Sequence, residues 1–323
     1  MSEYLTVPEA AAYLRISARK VYDLVSRSGL PHRRAGARLL FERIALAEWV
    51  RSSGRGVGMP ALPLVLAGSH DALMDWAVRA SRSTMATLCR GSRDGLERVL
   101  RREACAALLH LPGPDADAGS PGTGPLQAGR FNVDAVSGRF EGQDVALLNW
   151  CWRQQGLIVA HGNPRRIGSI ADLWPTATRR RLKVGRRSAG AGSRELFDRL
   201  IANHPDAAGA GGARKTKVRG AAPSLPITLA LDDLQSENDA AMAVRHGHVD
   251  AVFGAQSAAQ PFGLDFVPVL QERVDLLINR RSYFEPPLQA LLAFCRTRVF
   301  ADYAEELGGY DLSAHGAVIW NAT

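Results

Sequence analysis

Apolar positions recur at helical spacing close to the start of the chain. Ala10, Ala11 and Leu14 share one face, and Thr6 stands where it can cap the helix that carries them. Pro8 falls in the first turn, where a missing N–H costs nothing, and Glu9 puts an acid at the positive end of the helix dipole. A second run opens at Ser17. Val21, Leu24 and Val25 face inward, while Arg19, Lys20, Tyr22, Asp23, Ser26 and Arg27 face out, until Gly29 and Pro31 stop the helix. The segment His32–Phe41 then reads as a hairpin bent at Gly36, and Ile44, Leu46 and Trp49 predict a closing helix that buries the indole. Two short helices joined by a tight turn, the second polar and basic outside, predict a helix-turn-helix whose second helix enters the major groove. The hairpin is its wing.

Beyond residue 60 the pattern becomes that of an α/β domain. The apolar run Leu62–Asp71 passes through a Gly-Ser turn into a helix from Ala72 to about Ala80. The same succession of small-residue turn and helix recurs at Arg90–Gly95, before Leu96, Val99 and Leu100, and at Arg187–Arg194, before Leu196, Phe197 and Leu200. It recurs once more at Ser236–Asp239, before Ala243 and Val244. A helix start with free N–H groups and a hydroxyl beside it is an anion-binding corner. One such turn is a common connector. Four in one domain predict a shared cleft for a small oxyanion.

Composition changes this picture in three ways. A chain of 323 residues exceeds one ordinary core, and 46% hydrophobic with 22% charged residues is globular. The net charge of +8 is concentrated at the front, where residues 1–55 hold ten Arg/Lys against five Asp/Glu. That is the footprint of a phosphate-facing module. The four cysteines, Cys89, Cys105, Cys151 and Cys295, lie far apart, which predicts reduced, buried thiols and neither disulfides nor a zinc site. No apolar run reaches the roughly 18 residues of a membrane span, and the first residues lack the basic flank and apolar stretch of a signal peptide. A cytoplasmic protein is expected.

Ser52–Pro60 reads as a flexible hinge by composition, letting the large domain move relative to the reader. Pro112–Gly129 and Pro205–Pro223 read as surface loops. Ser69-His70-Asp71 is no catalytic triad, because adjacent side chains point in different directions. No phosphate loop, paired carboxylates or nucleotide fingerprint accompanies it, so no catalytic residues and no cofactor are assigned. His110 ends an apolar strand and fits either a cleft contact or a satisfied core residue. A metal site at His246 and His248 has little to support it.

The run Leu5-Thr-Val-Pro-Glu-Ala-Ala-Ala-Tyr-Leu14, with Ile16-Ser-x-x-x-Val-Tyr22, Gly29-Leu-Pro31, Gly36-x-Arg38 and Glu48-Trp-Val50, resembles the excisionase/MerR-type winged helix-turn-helix family. The resemblance implies binding to double-stranded DNA. The runs Ala67-Gly-Ser-His-Asp71, Gly91-Ser-x-x-Gly-Leu96, Arg187-x-x-Gly-x-Gly-Ser-Arg194, Asp250-Ala-x-Phe-Gly254 and Gly263-Leu-Asp-Phe-Val-Pro268 are similar to the periplasmic-binding-protein-like domains fused to bacterial helix-turn-helix modules, themselves similar to molybdate- and tungstate-binding proteins. That resemblance implies two α/β lobes on a two-strand hinge with the ligand between them. The exported molybdate proteins place a tyrosine soon after the Asp-Ala strand. Val252–Ala255 has none, and Asp71 and Asp239 would repel an anion if they faced it, which leaves the ligand's identity open, a neutral or cationic one included.

The expected architecture is therefore α/β: a winged helix-turn-helix over residues 1–54, a linker over 55–60, and a two-lobed, type II periplasmic-binding-protein-like domain over 61–323. DNA contacts are expected from Ser17, Arg19, Lys20, Tyr22, Arg27, Arg33, Arg34 and Arg38. Ligand contacts are expected from Ser69, His70, Ser92, Arg187, Gly192, Ser193, Asn238 and Asp239. The partners implied are DNA, a small-molecule effector such as molybdate or tungstate, and a second copy in a homodimer, with no membrane and no metal. A DNA-architectural or recombination-directing protein with an assembly domain, and a regulator sensing an organic metabolite, stay open.

Overall fold

The computed structural model describes residues 4–27, 29–36, 38–52, 61–113, 131–174, 182–204 and 228–322. The 55–60 linker and most of the two expected surface loops lie outside them. The N-terminal module begins with β1 (Tyr4–Leu5), α1 (Val7–Leu14) and α2 (Ala18–Arg27). A hairpin of β2 (Arg33–Ala35) and β3 (Arg38–Glu42) follows, then α3 (Arg43–Ser52). The Glu9 carboxylate accepts from both the N–H and the hydroxyl of Thr6 at 2.7 Å, so four consecutive residues fix the start of α1. β1 joins the hairpin to give the strand order β1-β3-β2, an addition too short for alternation to announce. Ala10, Val21, Phe41 and Leu46 form the module's core. Two expectations for α3 are corrected. Ile44 is 70% exposed and Trp49 only half-buried, because α3 turns Leu46 into the module and presents Trp49 to a seam with the large domain.

The large domain continues with β4 (Val65–Gly68), α4 (Ala72–Ala80), β5 (Ala86–Cys89), α5 (Ser92–Leu100), β6 (Ala106–Leu109) and α6 (Val133–Ser137). Then come β7 (Val145–Val159), β8 (Val184–Arg187), α7 (Gly192–Asn203), β9 (Leu229–Leu234), α8 (Glu237–Arg245), β10 (Ala251–Ala255) and α9 (Gln256–Ala259). The chain ends with β11 (Asp265–Asn279), α10 (Pro286–Phe294), α11 (Arg298–Leu307), β12 (Tyr310–Asp311) and β13 (Val318–Asn321).

Two 15-residue strands, β7 and β11, run antiparallel along their whole length, from Val145 opposite Asn279 to Val159 opposite Asp265. β6 joins the second half of β11 and β10 the second half of β7, so the sheet order is β5-β4-β6-β11-β7-β10-β8-β9. Each half is a lobe with its own parallel strands, and only the long pair belongs to both. That is the two-lobed, two-strand-hinge architecture expected. Parallel strands need cover on both faces. In the first lobe Leu66, Leu108 and Leu276 pack under α4, α10 and α11. Ala67, Leu109 and Leu277 pack on the other face, under α5 and α6. In the second lobe α7 covers Val184, Ala251 and Phe253, and α8 covers Ile158 and Val252.

The N-terminal module is seated on the first lobe. Tyr13 of α1 meets Tyr283 and Phe284 edge-on, with ring centroids 6.5 and 5.4 Å apart. The Arg15 guanidinium stands 5.5 Å over the Tyr283 ring and donates to the Gly316 carbonyl. Leu14, Trp49 and Val50 line the remainder of the seam with Arg281 and Phe284. The N-terminal module is thus in packed contact with the first lobe, while the hinge expected between them lies outside the described residues. Among the described residues no helix is long and apolar enough to cross a membrane.

Candidate functional site

A cleft of about 590 Å³ lies between the lobes. Ser69, His70, Cys89, Arg90, Gly91 and His110 line it from the first lobe, and Arg187, Ser193, Asp233, Ser236 and Glu237 from the second. All four turn-and-helix corners read from the sequence exist, but they are not equivalent. α4 starts at Asp71, whose carboxylate accepts from the Met74 N–H. α8 starts at Ser236, whose hydroxyl accepts from the Asp239 N–H while the Asp239 carboxylate returns to the Ser236 N–H. These two ends are satisfied internally. α5 and α7 start at Gly91 and Ala191 and carry no side-chain cap. Their first-turn amides stay available to an anion.

These two uncapped ends come from opposite lobes and approach each other. A Cβ on Gly91 would stand 2.7 Å from the Gly190 carbonyl, and one on Gly192 would stand 2.5 Å from the His110 ring. Arg93 and Glu195, in the first turns of α5 and α7, form a two-pronged ion pair across the gap. The lobes are therefore closed on one another.

Below the cleft, the hinge strands hold a buried ionic cluster. Arg153 of β7 donates to Asp71 at 2.9 Å and to Glu272 of β11 at 2.6 and 2.8 Å. Asp71 also accepts from Trp150 and from the Tyr310 hydroxyl, so its oxygens are spent and do not face a ligand. Gln155 donates to Glu272, and His110 Nδ1 lies 3.0 Å from the other Glu272 oxygen. Burial alone would raise the Glu272 carboxyl. His110 and Arg153 outweigh it and hold it at about 2.

The expected ligand residues are distributed unevenly. Ser69, His70, Arg187 and Ser193 line the cleft. Gly192 supports its closure. Ser92 is fully buried behind Ser69, 2.7 Å from the Ser69 hydroxyl, and accepts from the His110 N–H. It positions the wall without reaching the cavity. Asn238 and Asp239 are exposed on α8 and do not line the cleft. Their neighbour Glu237 does, because the first residue of the helix turns inward. His110 turns out to be both cleft-lining and buried. Arg187 donates to the carbonyls of Leu234 and Gln235, and burial lowers its guanidinium against the opposing pull of Glu237. An Asp75 hydrogen bond raises the His70 imidazole despite its burial. Cys89, expected buried, is exposed at the cleft, with its thiol pushed up to about 12 chiefly by desolvation. Among the described residues no group of His, Cys, Asp and Glu could hold a metal ion.

On the reader, Arg19, Lys20 and Tyr22 stand exposed along α2, Tyr22 at 56%. Ser17 caps α2 by accepting from the Lys20 N–H, and the side chain of Arg27 lies outside the described set. Arg33 pairs with Glu42 at 2.6 Å across the wing, while Arg34 and Arg38 form no ion pair among the described residues.

A family model described as the PBP superfamily domain matches residues 75–296, and a helix-turn-helix domain model matches residues 4–54. The chain belongs to the PBP superfamily. It joins a DNA-reading domain to a ligand-binding one, the makeup of a ligand-binding, DNA-binding regulator. It is 25% identical to the uncharacterized protein YvgK of Bacillus subtilis across 97% of each chain. It is 31% identical over 80 residues, 24% of this chain and 71% of the other, to a Clostridium pasteurianum protein encoded in the 5′ region of a 2Fe-2S ferredoxin gene. A Clostridium perfringens protein crystallised with bound phosphate shares the fold at 9% identity, with a TM-score of 0.51 over 76% of this chain and 98% of the other.

Proposed function

We propose that this PBP-superfamily regulator works in the cytoplasm as a homodimer on a two-fold operator and that its effector is a small anion held between the lobes. The observation that carries this reading is the meeting of the uncapped ends of α5 and α7 across a cleft lined by Ser69, Arg187 and Ser193. Amides and helix dipoles from two bodies converge there, so an anion stabilises the closed arrangement over the open one. At the other end, Arg19, Lys20 and Tyr22 serve as major-groove and phosphate contacts. Ser17 and Arg27 flank them on the same helix, and Arg33, Arg34 and Arg38 serve from the wing.

Molybdate and tungstate are the oxyanions the family resemblance suggests. One specific observation favours a small organic acid instead. The cavity of about 590 Å³, with Asp233 and Glu237 in its wall, is roomy and partly acidic for a single tetrahedral dianion. Thermal unfolding against molybdate, tungstate, sulfate, phosphate and small organic acids tests the site, because a ligand bound only by the folded state raises Tm. Ser69→Ala and Ser193→Ala should each reduce the rise. Full rises in both variants would refute the site. Fluorescence anisotropy on operator DNA, with and without the stabilising anion, tests the regulatory step, and identical DNA affinities would refute it.

A further inference from the structure

Two polar groups in the cleft leave hydrogen-bonding capacity unused among the described residues. Glu237 lines the cavity with its side chain 5% exposed, and among the described residues nothing donates a hydrogen bond to it. Its nearest cations, Arg153 Nη1 at 3.7 Å and Arg187 Nη1 at 3.9 Å, stand beyond hydrogen-bond reach. Both arginines are engaged elsewhere, Arg153 with Asp71 and Glu272 and Arg187 with the carbonyls of Leu234 and Gln235. On the facing wall, His70 Nδ1 is buried without a hydrogen-bond partner among the described residues, while its Nε2 stands 3.0 Å from Asp75.

Of the three carboxylates grouped around Arg153, those of Asp71, Glu272 and Glu237, Glu237 alone accepts no hydrogen bond among the described residues. A carboxylate buried without donors is costly, and a bound group that supplies one removes that cost.

Resting on the reading of the cleft as an anion site, we infer that the effector is a small organic acid that also carries a hydrogen-bond donor, a hydroxyl or an ammonium. Its acidic end sits at the amides of α5 and α7, and its donor points to the Glu237 carboxylate. Sulfate and molybdate carry no proton at neutral pH and would set like charge against Glu237. Glu237 is then the residue that determines specificity.

Titration calorimetry on the full-length protein tests this with matched probes that differ in the donor. The pairs are lactate against propionate, glycolate against acetate and L-aspartate against succinate, with sulfate and molybdate alongside. At least one donor-bearing acid should bind about tenfold or more tightly than its partner, the worth of a charge-assisted hydrogen bond. In Glu237→Gln, which keeps the shape and loses the charge, that ratio should collapse and sulfate should gain. Equal binding within every pair, or sulfate or molybdate binding the wild type as tightly as the best acid, overturns the inference. So does a ratio unchanged in Glu237→Gln. The wild-type ratios decide the matter alone if the variant does not fold. Silence of the wild type toward every probe overturns the anion-site reading itself, and this inference with it.

Discussion

Gly192→Ala separates closure of the lobes from stability of the fold. Gly192 begins α7 with ordinary backbone angles, so alanine meets no conformational penalty there. The obstacle is the opposite lobe, because the new Cβ would stand 2.5 Å from His110 Cε1 and 2.6 Å from its Nδ1 and carbonyl oxygen. His110 cannot retreat, since its ring is tied to Glu272 and its N–H to Ser92. Overpacking of this kind costs about 1–3 kcal/mol. Only the closed form bears that cost, so effector affinity should fall by roughly 5- to 150-fold at about 1.4 kcal/mol per factor of ten. The ligand-free, open protein should be unchanged, or more stable by about 0.4–1 kcal/mol because alanine restricts the unfolded chain. Calorimetry with the tightest-binding acid and a ligand-free melt measure the two halves. Unchanged affinity would show that the lobes do not meet at this point around a ligand. A ligand-free Tm lowered by several degrees would show that Gly192 touches His110 whether or not the cleft is filled. Either result refutes the assignment of this contact to closure.

Arg19→Ala and Lys20→Ala should each weaken operator binding and flatten its salt dependence, by about 0.9 in the log–log slope for each phosphate no longer neutralised, with effector affinity unaltered. Anisotropy titrations across a salt series check this, and an unchanged slope for both variants removes α2 from the interface. The Glu272 carboxyl, held at about 2 in the folded protein, contributes stability that is fully present above the ordinary glutamate value of 4.5 and lost as the pH falls from 4.5 toward 2. That contribution is about 3 kcal/mol at full strength. Urea denaturation between pH 6 and 3 should show the loss, and Glu272→Gln, less stable at neutral pH, should flatten it; an identical acid limb in the variant refutes the pairing. Tyr13→Ala removes the ring contacts with Tyr283 and Phe284, about 0.5–1.5 kcal/mol for each aromatic pair beyond burial. It should leave DNA affinity and effector affinity separately intact while shrinking the change that effector makes in DNA affinity, measured by anisotropy at saturating effector. Full coupling in that variant would take the seam out of the signal path.

The parts of the molecule legible in the sequence are those written in short-range patterns. The Thr6–Glu9 box, the polar outer face of α2 and the four turn-and-helix corners all depend on residues within a few positions of one another, and all are in the structure. The corners could not be ranked from sequence. Whether a helix start is free depends on whether Asp71 or Asp239 folds back on it, and the sequence alone left both acids as candidates to face the ligand. Both are spent on caps, and Glu237, a carboxylate that does line the cavity, sits one residue beyond the cap Ser236. Its inward turn follows from how α8 packs on Ile158 and Val252, a contact between distant segments. The hinge cluster was missed for a related reason. Arg153, Gln155 and Glu272 are polar positions inside runs that are otherwise buried, and that interruption was the available signal. Their partners lie more than a hundred residues away in the chain, or at Asp71, and only the antiparallel pairing of β7 with β11 brings them together.

The seating of the reader on one lobe decides what kind of signal closure can send. Had the reader hung from a free hinge, as residues 52–60 suggest by composition, effector binding would reach DNA only by changing how two copies associate. Through Tyr13, Arg15 and Trp49 it is packed on Tyr283, Phe284 and Gly316 of the first lobe. Tyr283 and Phe284 follow within five residues of the end of β11, the hinge strand whose Glu272 holds Arg153 and His110 beneath the cleft. A ligand that draws the second lobe onto α5 would therefore act on a strand that continues into the platform under the reader. Any coupling must equal the difference in effector binding between the two reader positions, whatever the route. It follows that weakening the seam and blocking closure are distinguishable faults: the first abolishes the response with effector bound, and the second abolishes the binding.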